Sequence, residues 1–175
     1  GLTVGGLVGA TGASGVINYV NTISDVTFNG AYRKGAGTKN ADGASSGAAA
    51  DNANAWDFAL TGTGDMAGLE GVSWGTGYGE VDGGTGQGSG NSTSKHMTVF
   101  ANYSMGPATF GYQISDIDQG AAGAADERTN AWGIAVNVNE NLSVSYGERE
   151  VEFNQTSTGN DVTENGEGIA VAYTM

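Results

Sequence analysis

At 175 residues the chain is long enough for one domain of ordinary size, and without cysteine it offers neither a disulfide framework nor a thiolate metal site. Nineteen acidic residues against six Lys and Arg give a formal net charge of −13, which excludes a phosphate-tracking nucleic-acid surface and a basic patch for anionic lipid. The 32 glycines would suit a disordered chain, but the aromatics recur inside alternating segments rather than in the polar stretches.

Gly1 to Ser14 is small, apolar and glycine-rich, and reads equally as a strand or as a segment folded against a wall. Gly15 to Ile23 forms a strand with imperfect alternation and turns at Ser24-Asp25. Val26, Phe28 and Tyr32 then alternate with Thr27, Asn29, Ala31 and Arg33. A long loop covers Gly35 to Asn54. Trp56, Phe58 and Leu60 open the next strand, a short connection near Asp65 to Glu70 leads to Val72, Trp74 and Tyr78, and a second long loop covers Asp82 to Ser94.

From here the period of two is cleanest. Met97, Val99, Ala101, Tyr103 and Met105 share one face, and Thr98, Asn102 and Ser104 the other, with Phe100 dissenting on the polar side. Gly106-Pro107 makes a tight turn into Ala108, Phe110, Tyr112 and Ile114. A loop from Asp118 to Thr129 precedes Trp132, Ile134, Val136 and Val138. Asn139 to Asn141 turns into Leu142, Val144 and Tyr146, and a loop from Gln155 to Asn165 precedes Ile169, Val171, Tyr173 and Met175.

About nine strands are thus expected, with short turns and long loops in strict alternation. A transmembrane barrel has reason to place its short turns at one end and its long loops at the other, on strands of about ten residues with one apolar face. A soluble sandwich has no such reason, although its half-buried strands also alternate. No run of about eighteen apolar residues is present, which excludes a transmembrane helix and leaves a barrel open. Trp56 and Trp132 after long loops, with Tyr103 and Tyr173 near the opposite strand ends, suit two aromatic girdles.

With TVFANYSMGPATFGYQIS (98–115) and AWGIAVNVNENLSVSYGERE (131–150) in place, the sequence resembles alphaproteobacterial general porins of the Gram-negative outer membrane. The resemblance implies an antiparallel sixteen-stranded barrel, a homotrimer in lipid and lipopolysaccharide, a constriction loop folded into the pore, and passive diffusion of ions and small polar solutes. This chain departs from that family in ending at Thr174-Met175 rather than on an aromatic residue, and in showing about half the strands. Residues 1–175 therefore read as a single barrel segment, incomplete at one or both ends. The start at Gly1 without a signal-peptide pattern agrees with a mature, processed or partial chain.

Catalysis finds no support, since His96 is the only histidine and no nucleophile–base pair is evident. Arg33, Asp57, Asn102, Gln113 and Asn137 fall on the polar face as candidate pore-lining residues, with Arg33 and Asp57 read as solvated wall charges. That face is mostly Gly, Ala, Ser, Thr and Asn, too small to fill a narrow barrel, so an open lumen is expected. Asp116, Asp118, Asp126 and Glu127 crowd one loop and are the candidate ligands for calcium, the one cofactor considered, although EF-hand spacing is lacking. They also support an alternative from another class, a calcium-dependent, β-rich adhesin or surface-layer module.

Overall fold

The structure, a computed structural model, describes residues 16–33, 54–81, 93–120, 125–155 and 161–174. These form one antiparallel sheet in which every strand pairs with its neighbours in sequence: β1 (Val16–Ile23), β2 (Val26–Arg33), β3 (Ala55–Thr63), β4 (Val72–Val81), β5 (Ser94–Met105), β6 (Ala108–Asp118), β7 (Ala125–Asn139), β8 (Leu142–Gln155) and β9 (Val162–Tyr173). Among the described residues there is no α-helix; one 3₁₀ turn spans Asp65–Ala67. The segment 1–14 and most of the loops expected at 35–54 and 82–94 lie outside the described residues.

Each described short turn has its own local chemistry. Ser24 takes φ +58° ahead of Asp25, and Gly106 takes φ +58° ahead of Pro107. At the β7–β8 turn, Asn139 Oδ1 accepts the N–H groups of Asn141 and Leu142, both at 2.9 Å, a side-chain mimic of a backbone turn. In the β3–β4 connection Gly71 adopts φ +80°, and its carbonyl accepts the Ser104 N–H of β5 at 2.8 Å. The meander places the turns at 24–25, 64–71, 106–107 and 140–141 along one margin of the sheet and the strand ends joined by longer connections along the other.

The strands run further toward the longer connections than the sequence pattern indicated. β6 continues through Asp118 and β7 begins at Ala125, while β8 reaches Gln155 and β9 begins at Val162. The expected loops at 118–129 and 155–165 shrink accordingly. In these stretches both faces are polar, so strand pairing persists where hydropathy no longer alternates.

A small core sits on one face at the longer-connection end of β1 to β4, where Val16 and Ala31 pack against buried Ala55 and Val81. Arg33 and Asp57 are buried with it, at 6% and 4% exposure. At these exposures they are not the solvated charges expected from the sequence. Arg33 lies directly between Val16 and Ala55 in the ladder, and Asp57 beside Ala31.

Candidate functional site: a two-faced wall

Ladder partners in antiparallel strands share a face, so the register sorts every described strand residue onto one of two surfaces. The apolar surface, taken as the outward one, carries Ile17, Tyr19 and Ile23 of β1, Trp56, Phe58 and Leu60 of β3, Met97, Val99, Ala101, Tyr103 and Met105 of β5, and Leu142, Val144 and Tyr146 of β8. The inward surface carries Ser73, Gly75, Gly77 and Gly79 of β4, Thr109, Gly111, Gln113 and Ser115 of β6, and Ala131, Gly133 and Ala135 of β7. One face is greasy, the other small and polar.

The outward apolar residues make a band that is oblique to the hydrogen-bonded rows. One such row runs Ile23, Val26, Gly62, Trp74, Ala101, Tyr112, Trp132, Glu148, Glu167 across all nine strands. At β1 it touches the band's lower border beside the turn; at β9 it has left the upper border, since Ile169 is the first outward apolar residue below Glu167. The row thus climbs across the band from one side of the sheet to the other, as strands tilted to the membrane normal require.

Aromatic rings border this band. Trp56, Phe58 and Tyr78 cluster at its top on β3 and β4, with Trp56 and Tyr78 centroids 5.5 Å apart, and Trp132 and Tyr146 meet edge-on at 5.7 Å at its top on β7 and β8. Their polar atoms point up and out: Tyr78 donates its hydroxyl to Glu80, Tyr146 donates to Glu148, and Trp132 Nε1–H donates to Glu148 at 3.2 Å. Trp74, Tyr103 and Tyr173 stand near the turn side. The two girdles expected from the sequence are there.

A family model described as Gram-negative porin matches residues 1–175. The chain belongs to the Gram-negative porin family. Among solved structures, outer-membrane expressed OmpT of Vibrio cholerae is similar in fold, with a TM-score of 0.62 at 15% identity over 90% of this chain and 49% of that one. The porin thus spans about half the length of that structure. A comparison with curated proteins finds no match. Fold, band and family together place the porin in the Gram-negative outer membrane as a transmembrane β-barrel chain.

All five candidate wall residues of the porin, Arg33, Asp57, Asn102, Gln113 and Asn137, lie on the inward face. Asn102, Gln113 and Asn137 are spread over β5, β6 and β7, and Arg33 and Asp57 sit in the small core, where the Arg33 Nη2 makes no hydrogen bond. Two charged residues missed by sequence reasoning, Arg149 and Glu164, share this face with Glu127, which the sequence had offered as a calcium ligand and not as a wall residue. Continuing the period of two past Gly147 would have found Arg149. His96 also turns inward, with its Nε2 2.9 Å from Ser94 Oγ.

The four candidate calcium ligands do not converge. Asp116, Asp118 and Asp126 face outward above the band, whereas Glu127 faces inward opposite Ile117 and Phe153. Asp118 pairs with Lys95 at 3.7 Å and accepts the Gly120 N–H, and Asp126 accepts the Gln119 N–H. Asp116 lies across from Arg128. Among the described residues no three such side chains stand together as a metal-holding group.

Proposed function

We propose that the protein forms a water-filled channel for passive diffusion of ions and small polar solutes, as a general porin of the alphaproteobacterial type. The observation that carries this is the inward face: a file of Gly75, Gly77 and Gly79 flanked by Thr, Ser, Asn and Gln cannot fill a barrel interior, so the lumen stays open to water. Substrate conversion is no part of the reading.

Closure follows from strand direction. β1 and β9 each have a single neighbour among the described strands and run the same way, so closing the meander with antiparallel pairs takes an odd number of further strands. Seven would give the sixteen of the resemblance, and assembly as a trimer belongs to the same proposal.

Two measurements test the reading. The full-length protein in a planar bilayer is expected to give stepwise ohmic currents in potassium chloride, and an electrically silent, correctly inserted barrel would overturn the diffusion function. In whole cells, a membrane-impermeant thiol probe is expected to label Asp161→Cys, beside the β8–β9 connection, and to spare Glu140→Cys in the β7–β8 turn. Equal labelling would reverse or abolish the assigned sidedness.

A further inference from the structure

Phe100 is the residue that the outward band does not absorb. Among the described strands only two aromatic side chains face inward, Phe100 and Phe153, and Phe153 sits near the longer-connection margin in the row of Glu127 and Val162. Phe100 stands alone in the middle of the wall. Its ladder partners are Gly75 on β4 and Gln113 on β6. The ring lies over Gly75 so closely that a Cβ there would come within 2.5 Å of Cε1 and 2.7 Å of Cζ. Beyond Gly75 the wall continues as Gly77 and Gly79, without side chains that could cover the ring from that strand.

Around this half-buried ring the wall is polar. Thr98 and Asn102 flank it on β5, and Gln113 opposes it on β6. Gln113 donates one amide hydrogen to Ser115 Oγ at 2.9 Å, and its carbonyl oxygen and second N–H are left for another partner. A flat apolar surface flanked along the wall by the Asn102 and Gln113 amides, whose nitrogens donate to Ser73 and Ser115, suits a solute that is apolar on one face and hydroxylated around its edge. Pyranose sugars have that form. An inorganic ion or a flexible polyether gains nothing comparable.

We propose that Phe100, with Gln113 and Asn102, is a sugar-contact platform in the channel wall that favours passage of pyranosides over other neutral solutes of equal size. The proposal rests on the diffusion reading, and the test separates them. The full-length protein is first scored for potassium chloride conductance; its absence would sink the diffusion reading itself. In conducting channels, interruption of the current is then compared for maltose and for a polyethylene glycol of similar size. Maltose is expected to reside longer, and Phe100→Ala is expected to shorten its residence roughly three- to tenfold relative to the polymer, the range of one aromatic contact. Phe100→Tyr should retain the difference. Should Phe100→Ala fail to assemble, Phe100→Leu keeps the bulk without the aromatic face and is expected to lose the preference. Equal residence of both solutes in the wild type, or a parallel change of both in Phe100→Ala or Phe100→Leu, would reduce Phe100 to a steric filler of the Gly75 notch and overturn the proposal.

Discussion

Ala101→Arg is expected to impair assembly of the barrel, and Asn102→Arg one residue along the same strand is expected to be accepted and to turn the channel toward anions. Ala101 is the middle of the five outward apolar residues of β5, between Val99 and Tyr103, and its row neighbours Trp74 and Tyr112 are outward too. It therefore lies near mid-height of the apolar band, where an arginine costs about 2–4 kcal/mol. A loss of that size is a large part of a typical folding free energy of about 5–15 kcal/mol. Asn102 points the other way, opposite Ser73 and Gly111, whose small size leaves room for a longer side chain. A hydrated guanidinium there adds one positive charge to a wall carrying both Arg149 and Glu127. Folding yield in lipid vesicles measures the first effect, and reversal potential in a salt gradient the second. Equal tolerance at both positions would be incompatible with lipid on the outward side, and a reversed pattern would invert the faces.

The residues of β5 show why this much was legible in the sequence. Their strict alternation crosses the whole band, so period, face and turn could be read directly, and even the dissenting Phe100 was placed on its proper side. The same alternation failed above the band. From Asp126 to Thr129 both faces are polar, so the start of β7 looked like loop and Asp126 and Glu127 like members of one acidic cluster with Asp116 and Asp118. The backbone ladder is indifferent to hydropathy and carries the pairing on, which splits Glu127 from Asp126 by one residue and therefore by one face. The burial of Arg33 and Asp57 was illegible for another reason. It depends on Val16, Ala31, Ala55 and Val81 meeting across four strands, and no local pattern reports a contact among residues so distant in sequence.

Gly68 and Gly71, both left-handed in the β3–β4 connection, make the sharpest stability test. Gly68 (φ +71°) has nothing within 4 Å of where a Cβ would stand, whereas a Cβ on Gly71 (φ +80°) would lie 2.2 Å from the Ser104 carbonyl oxygen. Both alanine variants carry the left-handed penalty of about 1–2 kcal/mol, partly offset by a stiffer unfolded chain. Only Gly71→Ala adds a collision with backbone, worth about 1–3 kcal/mol more. Gly68→Ala is thus expected to lose about 1 kcal/mol and Gly71→Ala about 2–4 kcal/mol in urea titration of the full-length barrel in vesicles. The difference matters beyond stability, because the Ser104 N–H to Gly71 carbonyl bond extends the β4–β5 ladder just past the Val72–Tyr103 pair. Pushing Ser104 away favours a one-residue slip, and a slip by one turns Phe100 toward lipid and Ala101 toward the lumen. Loss of maltose discrimination in whatever fraction of Gly71→Ala still inserts would show that slip, whereas equal destabilisation by the two variants would mean the turn yields and does not hold the register.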